Sequence, residues 1–399
     1  MDMNFTEEQN MLRDTVRKLM DKHAPVEKIR QWDKERVYPY ALYDAWLEAG
    51  LLRMPFPEAY GGLGGNVIDM AIINEEIAYR SADLSMCYGG NIFCGLNIAH
   101  KATEEQKRYW LPQLLEGKIR FSISMSEPDA GSDIGAMRTT ARRDGDHYVL
   151  NGMKRYITNA PLSDVFTVIA RTEEGTQGHA GLTAFLVERG PGLSTGEPYR
   201  KMGQAGSPVS DVYFDQCKVP SSHVIGLQEG VGFKTVMKVL NKQRLHLAAL
   251  CTGPAMRMLE LAIHHTQQRV QFGQPVAQHQ LVQAMIADCR TEIFAARSMI
   301  LEAARARDRG EDVHRAFHRD VEQQVCLNHF ETFVHQGRRV HGHHRAHCPG
   351  GMLQGLLCSD LGKILARVPA KRSTAGRQNQ ARYFLMCAAA QCLRKGAVL

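Results

Sequence analysis

Twice along this chain of 399 residues the hydrophobic period changes, and that order of periods constrains the fold more than any single motif. Up to about residue 120 apolar residues recur at helical spacing. Thr6 and Gln9 form a capping-box start, after which Leu12, Val16, Leu19 and Met20 share one face. The runs "PYALYDAWLEAGLL", "IDMAIINEEIAYRSA" and "TEEQKRYWLPQLLEG" repeat the pattern between Pro and Gly punctuation. Around Ser122 the period shortens: "HYVLNG", "VFTVIARTE", "LTAFLVE" and "SDVYFDQCKVP" are β-branched or aromatic runs bounded by Gly, Asn and Asp. After "GLQEGVGF" two long helical runs follow, beginning "FKTVMKVLNKQRL" and "LVQAMIADCRTEI", each long enough for a core helix of a bundle. Strand and helix never alternate, so a doubly wound sheet is not expected. "GGLGG" at Gly61 to Gly65 follows "MPFPEAY", which is no strand, and so lacks the context of a dinucleotide-binding turn. The expected class is α+β: a helical domain over residues 1–120, a β domain over 121–228, a helical domain over 229–313 and a separate segment over 314–399.

Charge and cysteine usage narrow the function classes. The net charge is +7, but residues from His314 onward carry 13 Lys/Arg against 4 Asp/Glu, a charge of +9, which leaves −2 for residues 1–313. The basic balance therefore belongs to the last quarter and predicts no nucleic-acid face on the rest. That quarter also holds eight of the 17 His and five of the ten Cys, a composition break near Val313. Cysteines without CxxC spacing point to reduced thiols. The acidic, amphipathic start has no basic or apolar leader, and no run of about 18 apolar residues occurs. A cytoplasmic protein without a membrane span is expected. "HGHHRAHC" offers His341, His343, His344, His347 and Cys348 as competent ligands, yet a His-rich tract is compositional, and no metal site is expected from it.

Seven segments in order carry a resemblance: "PEAYGGLGG", "TEEQKRYWLPQLLEG", "SEPDAGSD", "LNGMKRYITNA", "YRKMGQAGSPVSDVYFDQCKVP", "GVGF" and "RVQFGQPVAQHQLVQ". Together they resemble the acyl-CoA dehydrogenase family over residues 1–313. The resemblance implies an N-terminal α domain, a middle β domain and a C-terminal helical bundle, with FAD as cofactor and an acyl-CoA as substrate. It further implies electron-transfer flavoprotein as the acceptor and a homodimer or homotetramer, because the site spans subunits. On the flavin, Ser126 would bond the pyrimidine edge, Tyr156 would cover the ring system against water, and Thr158 would bond near N5. Tyr156 also fits a plain aromatic in a sheet core. Ser132 would lie near the thioester. In "RVQFGQPVAQHQ", Arg269 would reach a neighbouring subunit's pyrophosphate with its planar fork, with Phe272 and Gln280 close by.

The implied reaction removes the α-proton while the β-hydrogen leaves as hydride, which requires a positioned carboxylate. One family position for it immediately precedes an Arg on the first long helix of the C-terminal domain, and here "NKQRL" places Gln243 before Arg244, which the resemblance sets at the substrate. An amide does not accept the proton. The other position needs an E-G-T context that the chain lacks, and the Gly-rich flavin segment near the C-terminus is replaced by "VHGHHRAHCPGG". Asp320, Glu322, Glu331 and Asp360 stand in no matching motif. Three readings stay open: a dehydrogenase with an altered terminal part, an enzyme like the acyl-CoA desulfinases using Gln243 in place of Glu, or a flavin and acyl-CoA binding protein without turnover.

Overall fold

A computed structural model describes residues 4–311, apart from 174 and 177. Its N-terminal part is helical: α1 (Glu7–His23), α2 (Val26–Glu35), α3 (Tyr40–Glu48), α4 (Val67–Arg80), α5 (Ala82–Lys101) and α6 (Glu104–Leu115). The expected capping box closes α1, with the Gln9 amide donating to Thr6 Oγ1 at 3.2 Å and the Thr6 amide to Gln9 Oε1 at 3.1 Å. The same four letters, "TEEQ", open α6 with the same box. Val16 and Met20 are buried as the periodicity predicts, with Leu12 and Leu19 packed partly against the same core. Each fully buried aliphatic side chain of this kind contributes about 1.5–3 kcal/mol.

α4 and α5 are buried on most of their circumference, so they form the centre of the helical part. Polar residues on α4 therefore need partners from other helices. Glu76 takes a two-bond contact from Arg17 of α1, at 2.7 and 2.8 Å. Its neighbour Glu75 accepts from Thr252 at 2.9 Å on α7 (Gly232–Gln268) and from Arg297 at 2.8 Å on α8 (Gln280–Asp308). These carboxylates pin the long helices to the N-terminal ones. Gly253 lets α7 cross close over α4: a Cβ there would lie 2.5 Å from the Glu75 carbonyl oxygen.

Between the two helical parts lie β1 (Phe121–Ser124), β2 (Thr140–Asp144), β3 (His147–Thr158), β4 (Val165–Arg171), β5 (Leu182–Glu188), β6 (Leu193–Thr195) and β7 (Val209–Pro220). Among the described residues they make one seven-stranded sheet in the order β1-β4-β2-β3-β7-β6, with β5 on the other side of β4. β1 runs parallel to β4, while the β2–β3, β3–β7 and β4–β5 pairs are antiparallel. β4 and β5 are apolar on both faces for a physical reason. Val165, Ile169, Leu182, Ala184 and Leu186 face the helical core, whereas Phe166, Val168, Phe185 and Val187 face a second core inside the sheet. The architecture is the expected α+β arrangement of helices, sheet and long helices.

Candidate functional site

The stretch "SMSEPDAGSD" leaves β1 as a loop held by one carboxylate. Glu127 Oε2 accepts from the Arg138 amide at 2.6 Å, and Oε1 accepts from the Thr139 amide at 3.1 Å and from Lys154 Nζ at 2.7 Å. Lys154 lies on β3, is 0% exposed, and donates also to the Met125 carbonyl at 3.2 Å. Burial pulls the Lys154 ammonium down to about 8, against the upward pull of Glu127. Burial pushes Glu127 up, but the Lys154 charge and the Arg138 amide outweigh it and leave the carboxyl below its ordinary value. This buried ion pair sits between the two segments that the resemblance assigns to the flavin.

Ser126 is placed beside β3 by its carbonyl, which accepts from the Arg155 amide at 2.7 Å. Between Lys154 and Ile157 the register of β3 against β7 shifts, and Tyr156 stands there at φ 59°, an uncommon region for a bulky side chain. The bulge turns its ring outward to 43% exposure, which excludes the sheet-core alternative. Asp211 holds the turn: Oδ1 accepts the Tyr156 amide at 3.3 Å, and Oδ2 accepts the Tyr199 hydroxyl at 2.8 Å. The Tyr156 and Tyr199 rings lie 5.3 Å apart. Two residues on, the Thr158 carbonyl accepts from Ser122 Oγ at 2.8 Å, tying β1 to the end of β3. Ser126, Tyr156 and Thr158 are thus gathered along one junction of β1 and β3. The two hydroxyls and the exposed aromatic face suit a planar heterocycle with hydrogen-bonding edges, so these residues fit an isoalloxazine. Ser132 is exposed farther along the same loop, just before a short turn over Ile134–Ala136.

A second loop reaches this junction from residues 199–208. Ser207 Oγ donates to Asn159 Oδ1 at 3.2 Å, and the Gly206 amide donates to Asp83 Oδ2 at 2.7 Å. Burial raises Asp83 from the usual 3.8 to about 6. A carboxyl raised on folding stabilises the fold below its unfolded pKa, and that contribution disappears as pH rises through 6. The Asp83→Asn variant is therefore expected to gain on the wild type between about pH 4 and 6, by an order of 3 kcal/mol at neutral pH. Chemical denaturation across that range checks this; a gap that stays constant with pH contradicts it.

Gln243 and Arg244 are half-buried on α7, and Gln243 Nε2 is buried with no hydrogen-bond partner among the described residues. α7 carries one carboxylate, Glu260, held by Tyr79 and Arg257. At 1.5 Å per residue it stands about 25 Å along the helix from Gln243 and does not substitute for a base there. Arg269, Phe272 and Gln280 lie elsewhere, around a small hairpin of β8 (Val270–Gln271) and β9 (Gln274–Pro275) between α7 and α8. All three are exposed, and Phe272 is 95% exposed at φ 53°, with its ring edge-on to His279 at 6.1 Å.

Glu127, Lys154, Asp211 and Tyr199 were not legible as site residues, although a Lys inside the strand run "GMKRYIT" was a usable signal. Cys87, Cys94 and Cys217 are buried thiols. Among the described residues no group of three or more His, Cys, Asp and Glu is arranged for a metal ion, and no helix is long and apolar enough to cross a membrane. The tract from His341 to Cys348 and the carboxylates Asp320, Glu322, Glu331 and Asp360 lie outside the described residues.

Family models match the acyl-CoA dehydrogenase N-terminal domain over residues 6–118, the middle domain over 122–217 and the C-terminal domain over 230–354. The last match runs on beyond Val313, where the recognisable motifs end. An acyl-CoA dehydrogenase of Bacillus subtilis is 37% identical over 311 residues, covering 77% of this chain and 81% of the relative. A cyclohex-1-ene-1-carbonyl-CoA dehydrogenase of Geobacter metallireducens has the same identity and coverage. The butyryl-CoA dehydrogenase structure of Megasphaera elsdenii is similar with a TM-score of 0.78 at 28% identity, covering 99% of this chain and 100% of that one. With three consecutive domain models matched and curated relatives above one-third identity, the chain belongs to the acyl-CoA dehydrogenase family.

Proposed function

We propose that this chain binds FAD non-covalently along the β1–β3 junction and acts on an acyl-CoA thioester by α,β-dehydrogenation to the 2-enoyl-CoA. The observation that carries the reading is the outward turn of Tyr156 at the bulge, which exposes an aromatic face on the β1–β3 junction where the backbone also brings Ser126 and Thr158. FAD, when bound, supplies the acceptor for the β-hydrogen as hydride. The chain's own part is to orient and to exclude water: Ser126 and Thr158 offer hydrogen bonds to the ring edges, and Tyr156 with Tyr199 forms the apolar cover. Ser132 and Arg244 are assigned to the substrate. The exposure of Arg269, Phe272 and Gln280 supports their use on a second subunit, in a homodimer or homotetramer. We assign the first two domain boundaries near residues 120 and 228 and take electron-transfer flavoprotein, in a reducing cytoplasmic setting, as acceptor.

Gln243 limits the chemistry. An amide at the base position gives the α-proton no acceptor at that place among the described residues, so dehydrogenation by this chain is expected to be slow although both ligands bind. The unpartnered Gln243 amide also favours a second reading, an acyl-CoA reaction like desulfination in which no α-proton is removed. Purified protein is expected to be yellow or to become yellow on adding FAD, with the flavin released intact on denaturation. A colourless protein that takes up no FAD would overturn the flavoenzyme reading.

A further inference from the structure

Arg171, at the end of β4, makes a connection that the flavin face does not use. Nη1 donates to Thr176 Oγ1 at 3.0 Å and to the Ala180 carbonyl at 2.9 Å. Nη2 donates to the Gly135 carbonyl at 3.0 Å and to the Gly178 carbonyl at 3.2 Å. The four N–H bonds of the two terminal nitrogens are all spent, three of them on backbone carbonyls. Gly135 belongs to the short turn that follows Ser132, whereas Thr176, Gly178 and Ala180 belong to the connection between β4 and β5. The two segments are in backbone contact: a Cβ on Gly135 would lie 2.9 Å from Gly178 Cα. The base of the clamp is fixed as well, since the Arg171 amide donates to the Thr139 carbonyl at 2.9 Å and the Thr139 amide donates to Glu127.

We propose that Arg171 is a positioning residue for the acyl-CoA thioester, which acts by clamping the turn at Gly135 to the β4–β5 connection and so fixing where Ser132 stands. This rests on the reading that Ser132 meets the thioester end of the substrate. A planar fork reaches both segments at once; a lysine concentrates its three protons at one point and holds only one of them. Displacement of a substrate-positioning loop by about 1 Å is enough to cost up to 10²-fold in the reaction it serves. The clamp bears on the substrate side of the loop, three residues beyond Ser132, and the guanidinium bonds neither Glu127 nor Lys154 beneath Ser126.

The test uses the full chain loaded with FAD and titrates it with a saturated acyl-CoA, reading the perturbation of the flavin spectrum, alongside FAD affinity and thermal unfolding. Arg171→Met is expected to weaken acyl-CoA binding by about three- to tenfold with FAD affinity unchanged, and Arg171→Lys is expected to recover part of the loss. Gly135→Ala, which pushes the same two segments apart from the opposite side, is expected to shift acyl-CoA affinity in the same direction. Wild-type binding with unaltered affinity in all three variants would overturn the clamp alone. Loss of FAD affinity in parallel with acyl-CoA affinity would show a merely structural role and overturn it equally. A wild type that binds FAD but shows no response to acyl-CoA would overturn the proposed substrate class and the clamp together.

Discussion

Gln243→Glu is expected to raise the rate at which a saturated acyl-CoA bleaches the bound flavin by about 10²- to 10⁴-fold, the usual contribution of a positioned general base. The substitution changes an amide for a carboxylate of nearly the same shape at a half-buried position. Its neighbour Arg244 and the packing of α7 on α4 are left in place. A carboxyl there replaces a buried Nε2 that has no partner among the described residues, so no hydrogen bond within them is lost. The gain should carry a pH signature: the Glu variant accelerates as pH rises through the pKa of its new carboxyl, whereas the wild-type rate lacks that limb. Gln243→Asn, which keeps the amide, should bring no gain. Stopped-flow absorbance at the flavin band measures all three, and a Glu variant no faster than the wild type would remove Gln243 from the base position.

The second large effect belongs to the pair beneath the flavin loop. Lys154→Met should destabilise the chain by about 3–5 kcal/mol, because removing one partner leaves Glu127 as an uncompensated buried charge. The flavin should weaken with it, since Glu127 fixes the loop of Ser126 and Lys154 lies two residues from Tyr156. Restoring electrical balance distinguishes the cause. The double variant Glu127→Gln with Lys154→Met removes both charges and keeps one acceptor oxygen for the Arg138 and Thr139 amides, which Glu127 serves with its two oxygens, so part of the stability should return. FAD affinity and denaturant unfolding followed together provide the check; a single variant that costs less than about 1 kcal/mol would show the pair to be screened like a surface bridge.

Much of the architecture was legible because it depends on local rules. Two "TEEQ" boxes mark the starts of α1 and α6, and the apolar runs of β4 and β5 betray strands covered on both faces. The family motifs located Ser126, Tyr156 and Thr158, which the fold does bring to one junction. What the sequence hid follows from register. Tyr148 and Leu150 point inward along β3, and strict alternation continues through Lys154 to Tyr156, which would bury the tyrosine. The bulge before Ile157 changes the parity, so Lys154 stays inside and needs Glu127 while Tyr156 turns out. Lys154 and Glu127 are 27 residues apart, and nothing local announces their contact. Arg171 was equally silent, reading as an ordinary charged end of a strand until the fold set Gly135 and Gly178 against each other.

The most direct measurement is anaerobic mixing of the FAD-loaded wild-type chain with an excess of saturated acyl-CoA, following the flavin spectrum from milliseconds to minutes. A chain that keeps both binding faces and carries an amide at position 243 should show a prompt shift of the oxidised flavin spectrum as the thioester binds, followed by slow bleaching. Bleaching as fast as that of the Gln243→Glu variant would contradict this, because it would require a competent base elsewhere in the chain.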